Sequence, residues 1–184
     1  MARKILVLIG SPRIGGNTEK LADAFAGGAE SKGHEVRTFH LGKTKVNGCL
    51  GCHQCYSTGR PCVQKDGMDE IYDAFFWADT IVLASPLYFW HVSSQLKAFI
   101  DRFQALGYKN DFKYPRKDVV LMMVGASKKQ DMFDAVCAYY DYGIVKYFGW
   151  NDLGRILARR VLDRGEIEKT PFLDDARAFG EQLV

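Results

Sequence analysis

The stretch Lys4-Ile5-Leu6-Val7-Leu8-Ile9-Gly10-Ser11-Pro12-Arg13-Ile14-Gly15-Gly16-Asn17-Thr18 decides how the rest of the chain is read. Lys4 to Ile9 reads as a strand, and the continuous apolar run from Ile5 to Ile9 is the pattern of one covered on both faces. Gly10 to Gly16 supplies turn residues, and Leu21, Ala22, Phe25 and Ala29 then fall at helical spacing between Thr18 and Ser31. A strand that ends in a tight turn at a helix N-terminus gathers unpaired backbone N–H groups and the positive end of the helix dipole. Ser11, Asn17 and Thr18 add short donors and Arg13 adds a guanidinium, which makes the turn a candidate anion site. A P-loop would need Lys and Ser or Thr directly after Gly15, and a dinucleotide fingerprint would need Gly where Pro12 stands. The spacing therefore points to a single phosphate. An ordinary capped turn, with Asn17 or Thr18 as N-cap, uses the same residues and is compatible with it.

Outward from this unit the pattern repeats. Glu35 to Leu41 is predicted as a second strand, followed by a cysteine-rich loop to about Asp66. A helix over Ile71 to Ala78 leads into the apolar strand Thr80 to Ser85. The spacing of Leu96, Phe99, Ile100 and Phe103 predicts a helix over Ser93 to Leu106, and Asp118 to Val124 reads as a buried strand. Phe133, Val136, Cys137, Tyr140 and Ile144 mark another helix, the fifth strand falls between Asn151 and Val161, and Pro171 introduces a terminal helix. Strands alternating with helices predict one α/β domain over residues 1–184: a doubly wound, five-stranded parallel sheet of order 2-1-3-4-5 with helices on both faces. In such a sheet ligands collect outside the carboxyl ends of the strands, around the switch point. That rule selects the loops after Ile9, Ser85 and Val124. The second of these, Ser85-Pro86-Leu87-Tyr88-Phe89-Trp90-His91, is aromatic where a solvated loop should be polar, and suits a planar ring as guest.

The 184 residues carry 47% hydrophobic residues and a net charge of +3, with acidic and basic residues interleaved. This supports one full core and argues against a nucleic-acid surface, which needs a concentrated basic stripe. No apolar stretch reaches membrane-span length and no signal-peptide core is present, so a cytoplasmic location is expected.

Three segments carry a family resemblance. Gly-Ser-Pro-Arg-x-x-Gly-Asn-Thr at 10–18, Ser-Pro-Leu-Tyr-Phe at 85–89 and Ser-Ser-Gln-Leu-Lys-Ala-Phe-Ile-Asp-Arg at 93–102 resemble the NAD(P)H-dependent FMN reductase and iron–sulfur flavoprotein branch of the flavodoxin-like superfamily. The resemblance implies that Ser11, Arg13, Gly16, Asn17 and Thr18 hold the FMN phosphate end. It places Pro86, Leu87, Tyr88, Phe89 and Gly125 around the isoalloxazine. It implies NAD(P)H as electron donor and a quinone, flavin, azo compound or other small molecule, or a redox protein, as acceptor. Flavin chemistry needs no catalytic side chain, and none is assigned.

Cys49-x2-Cys52-x2-Cys55-x6-Cys62 is a compact four-cysteine array on the loop after the second strand. Its first three cysteines are spaced like the first three ligands of bacterial ferredoxins, but the last gap is longer and Pro61 precedes the final cysteine. The array reads either as ligands of a 4Fe–4S cluster, which would make the chain an FMN-plus-cluster electron carrier, or as a set of thiols with no metal. Zinc fits less well, since its structural sites draw two separated cysteine pairs. Cys137 reads as packing. Lys97 and Asp101 form a surface i, i+4 pair, and His91 reads as a surface loop residue. The aromatic residues Phe89, Trp90 and those between Tyr139 and Trp150 exceed what one ring pocket needs, so a homodimer or homotetramer is expected.

Overall fold

The computed structural model describes residues 1–57, 61–107 and 113–184. Among these, β1 (Lys4–Ile9), β2 (Glu35–His40), β3 (Thr80–Pro86), β4 (Asp118–Val124) and β5 (Asn151–Ala158) form a parallel sheet in the order β2-β1-β3-β4-β5. The apolar runs are continuous because both faces are covered. Leu6, Leu8, Ile81, Leu83, Leu121 and Met123 pack on one side beneath α2 (Met68–Trp77) and α3 (Ser94–Asp101). Ile5, Val7, Ile9, Val82, Val120 and Met122 pack on the other beneath α1 (Asn17–Ser31) and α6 (Phe172–Glu181). β2 is an edge strand and is correspondingly mixed in composition and half exposed.

Two helices depart from the spacing-based expectation. The helix expected over Ser93 to Leu106 stops at Asp101 and resumes as the single turn α4 (Gln104–Gly107). Arg102 turns its side chain into the interior, and the Tyr72 hydroxyl donates to its carbonyl at 3.1 Å. The second helix is α5 (Asp134–Tyr139), which widens into a π-helical segment over Tyr140–Lys146. There the Tyr140 hydroxyl is held by Asp152 at 2.9 Å, and Gly143 lies so near the Tyr139 ring that a Cβ would sit 3.1 Å from it. π segments of this kind concentrate near functional sites.

α1 and α6 meet through glycines. A Cβ on Gly180 would lie 2.2 Å from the Phe25 carbonyl oxygen, and one on Gly28 would lie 2.1 Å from that of Arg177. Both obstacles are backbone, so neither side can yield by a rotamer change. Gly180→Ala is expected to destabilise the fold by about 1–3 kcal/mol through overpacking, read as a lower Tm in a thermal melt. An unchanged melt would mean that the two helices part without cost.

Candidate functional site

The turn between β1 and α1 is built by its own short side chains. Buried Ser11 accepts the Arg13 N–H at 3.1 Å through Oγ, which folds the chain back on itself. Gly16, not Asn17 or Thr18, occupies the N-cap position, in extended conformation and with no side-chain cap bond. The first intrahelical bond here is Lys20 N–H to the Gly16 carbonyl at 3.1 Å, so the N–H groups ahead of Lys20 have no acceptor within the helix. This uncapped end is what an anion needs. Thr18 is buried and Arg13 exposed at the rim.

The side-chain amide of Asn17 is committed elsewhere. It donates to the Asp163 carbonyl at 2.7 Å, and its oxygen accepts the Gly165 N–H at 2.9 Å. Arg164 reaches the same turn from β5's side, donating to the Ile14 carbonyl at 2.9 Å and to that of Gly15 at 3.3 Å. The loop after β5 therefore braces the turn, a role that the switch-point rule did not suggest. Glu19 accepts the Gly15 N–H and lies 3.1 Å from His40 Nε2. The Gly42 N–H donates to His40 Nδ1 at 3.1 Å, which sets the proton of a neutral ring on Nε2, facing Glu19.

The loop after β3 is tied to this turn by two buried serines. Ser93 donates through Oγ to the Gly10 carbonyl at 2.5 Å and caps α3 by accepting the Leu96 N–H at 3.2 Å. Its own N–H donates to Ser85 Oγ at 2.9 Å. Between them the chain makes a hairpin turn, closed by reciprocal Tyr88–His91 backbone bonds of 2.9 and 3.0 Å. Phe89 (φ 47°) and Trp90 (φ 61°) at its tip are both left-handed, a conformation costing about 1 kcal/mol or more for such side chains. Phe89 is 94% exposed. His91 lies inward of the tip against the Tyr139 ring, centroids 4.4 Å apart. Burial, with Lys97 nearby, holds its imidazole below the usual pKa.

All the residues expected to bind the cofactor, Phe89 excepted, line one cavity of about 120 Å³. Ser11, Arg13, Gly16, Asn17 and Thr18 stand at its turn end; Pro86, Leu87, Tyr88 and Gly125 come from the loops after β3 and β4. Phe89 lies on an adjoining cavity of about 740 Å³ that shares Leu87 and Tyr88 with the first. Ser127, in the loop after β4 that the switch-point rule selects, lines the second cavity; residues not anticipated from sequence include Val161 and Leu162, on the first, and Lys129 and Met132, on the second.

The four cysteines of the loop after β2 also meet. Cys49, Cys52, Cys55 and Cys62 line one small cavity of about 40 Å³, together with Gln64, Arg102 and Gln104, and all are free thiols. Residues 58–60 of this loop lie outside the described residues. Burial pushes the Cys55 thiol up, and charge on Cys62, Cys49 and Cys52 adds to the effect. No three His, Cys, Asp or Glu side chains among the described residues converge tightly enough to hold a single ion. Cys137 is half-buried and packs against the core.

The neck of that loop is clasped by Asp66 and Arg102, whose side chains are 4% and 1% exposed. Asp66 accepts the Asn47 N–H at 2.9 Å and Arg102 Nη1 at 2.9 Å, while Arg102 Nη1 also donates to the Asn47 carbonyl at 3.0 Å. Burial works against the Asp66 carboxylate, but hydrogen bonds from Arg102 and from the Asn47 and Met68 backbone outweigh it and lower its pKa. Lys97 and Asp101 form the expected exposed ion pair. Among the described residues no helix is long and apolar enough to cross a membrane.

The model of the NADPH-dependent FMN reductase family matches this chain over residues 3–135. An iron–sulfur flavoprotein of Archaeoglobus fulgidus is 36% identical over 129 residues, 70% of this chain and 58% of that protein. The chain thus spans less than two thirds of that relative's length. An iron–sulfur flavoprotein of Methanosarcina thermophila is 34% identical over 139 residues, 76% of this chain and 72% of that one. Among solved structures, an NAD(P)H:quinone oxidoreductase from Methanothermobacter marburgensis superposes with a TM-score of 0.78 at 14% identity, covering 98% of this chain and 96% of the other. An azoreductase from Bacillus anthracis superposes at 0.69 with 14% identity over the whole of both chains. At such identities the likeness concerns the fold, which is flavodoxin-like. By the family model and these relatives, the chain belongs to the NADPH-dependent FMN reductase family.

Proposed function

We propose that the chain is an FMN-dependent oxidoreductase that accepts a hydride from NADH or NADPH and passes the electrons to a small-molecule acceptor such as a quinone, an azo compound or free flavin. One observation carries this reading: the anion-suited turn and the aromatic loop after β3 open on adjoining cavities that share Leu87 and Tyr88. The residues present fit FMN. The uncapped α1 N-terminus and Arg13 supply donors and positive charge for a phosphate, and Leu87, Tyr88 and Gly125 supply apolar and backbone surface for a ring.

Bound FMN supplies the hydride chemistry itself. The chain's part is placement. Ser93 ties Gly10, Ser85 and the start of α3 together, so the turn and the ring-side loop keep a fixed separation. Leu87 N–H donates to the Val124 carbonyl at 2.7 Å and Gly125 N–H to that of Ala158 at 2.8 Å, which fixes the backbone on the ring side. The larger cavity, with Phe89, Trp90 and Met132, offers apolar surface against which a nicotinamide or an aromatic acceptor can stack. Anaerobic stopped-flow mixing with NADH and with NADPH is expected to bleach the flavin within seconds with at least one of them. Flavin that stays oxidised for minutes with both would overturn the reading.

The cysteine cavity favours a second reading, in which the chain also holds a 4Fe–4S cluster and relays electrons to a protein partner. Four free thiols on one cavity beside a buried guanidinium are a fitting donor set, because their mutual repulsion as thiolates is relieved by iron. Cys49, Cys52, Cys55 and Cys62 would hold it.

The chain is further proposed to self-associate as a dimer or tetramer, since Phe89, Trp90, Tyr142 and Tyr147 leave large aromatic surface exposed. Light scattering at micromolar concentration is expected to give a multiple of 20.8 kDa; a monomer mass would refute it.

A further inference from the structure

Arg102 is the largest of the fully buried side chains, and its guanidinium is only partly used. Nη1 donates to Asn47 and Asp66, and Nη2 lies 3.4 Å from the second Asp66 oxygen. Among the described residues Nε has no acceptor at all. A buried N–H without a partner is rare, because its lost hydration is nowhere repaid. The same residue lines the cysteine cavity with Cys49, Cys52, Cys55 and Cys62. An acceptor within that cavity would complete the guanidinium, and sulfur is what the cavity offers.

We propose that Arg102 is a positioning residue for the cluster of the cysteine loop: its Nη1 donor clasps the loop's neck to Asp66 and Asn47, and its Nε–H is reserved for a cluster sulfur or a ligating thiolate. This rests on the cluster reading above. Four thiolates around a 4Fe–4S core leave the site net negative, and one-electron reduction makes it more so. A fixed N–H donor with a positive charge behind it stabilises the reduced form and raises the potential. Asp66 does not cancel the effect, since its carboxylate is engaged by the Nη side of the guanidinium and by the Asn47 and Met68 N–H groups. A clasp without this further role would need only the Nη donors.

The test uses the full chain, reconstituted anaerobically with ferrous iron and sulfide, and its Arg102→Lys variant. The variant keeps a cation but has no Nε–H. The cluster's midpoint is read by spectroscopic titration with dithionite, which supplies the electron and is oxidised to sulfite. The variant is expected to have a lower midpoint, by roughly tenfold in the reduced-to-oxidised ratio at fixed poise, which is roughly 59 mV for one electron. The FMN midpoint in the same sample is expected not to move. A second measurement needs no variant: wild-type protein made with arginine carrying the heavy nitrogen isotope is expected to show a nitrogen coupling to the reduced cluster in pulsed electron resonance. A stoichiometric cluster with no such coupling, or with an unchanged midpoint in the variant, overturns the Arg102 proposal and leaves the cluster reading standing. Failure of the wild-type chain to take up stoichiometric iron and sulfide removes both.

Discussion

The chain carrying Arg13→Ala together with Thr18→Val is expected to bind FMN far more weakly than the parent, by more than tenfold in Kd. Charge-assisted contacts to phosphate are worth roughly 1.5–3 kcal/mol each, and the double change removes a guanidinium at the rim and a hydroxyl at the first turn of α1. Thr18 is buried, so Val keeps its volume and the helix start should survive. Asn17 is a poor choice for the same experiment. Its amide braces the loop after β5 through Asp163 and Gly165, and its loss would disturb the turn whether or not it met a ligand. A fluorescence titration with unchanged affinity would remove Arg13 and Thr18 from the site.

Changing any one of Cys49, Cys52, Cys55 or Cys62 to Ser is expected to abolish the broad iron–sulfur absorption of the reconstituted protein while sparing the FMN bands. Under the cluster reading the four act as one ligand set, and their cavity shares no lining residue with those between β1, β3 and β4. Cys137→Ser is the internal control, since that residue packs on the core and does not line the cysteine cavity, and should leave both signals intact. If the thiols hold no metal, anaerobic reconstitution yields no stoichiometric 4Fe–4S species and every Ser variant keeps the parent's electron-transfer rate.

Buried parallel strands are easy to read because they are apolar without interruption; the bounds expected for β1 and β4 coincide with those observed. Helices α3 and α5 were harder. Their apolar spacing continues past the points where they break, and the breaks arise from tertiary contacts: Tyr72 on the Arg102 carbonyl, and Asp152 on the Tyr140 hydroxyl. The proposed cofactor cradle was legible for the same reason as β1, being local in sequence. Its bracing was not. Arg164, Val161 and Leu162 come from a loop with no motif, and the pairing of Asp66 with Arg102 joins positions that no local pattern relates.

The brace from the loop after β5 also fixes when the flavin site is finished during synthesis. Asn17 and the carbonyl of Asp163 are 146 positions apart, and Arg164 must reach back to Ile14 across 150. A nascent chain exposes the turn almost at once, but its clasp emerges from the ribosome only near the end. Flavin capture at the proposed site is accordingly expected to be a late, post-folding event. Its binding energy then accrues to the completed fold alone, adding about 2.7 kcal/mol at a ligand concentration one hundred times Kd. If the turn holds FMN as proposed, a chain cut after Ala158 keeps every residue of the turn but lacks its brace, and is expected to bind the cofactor more weakly.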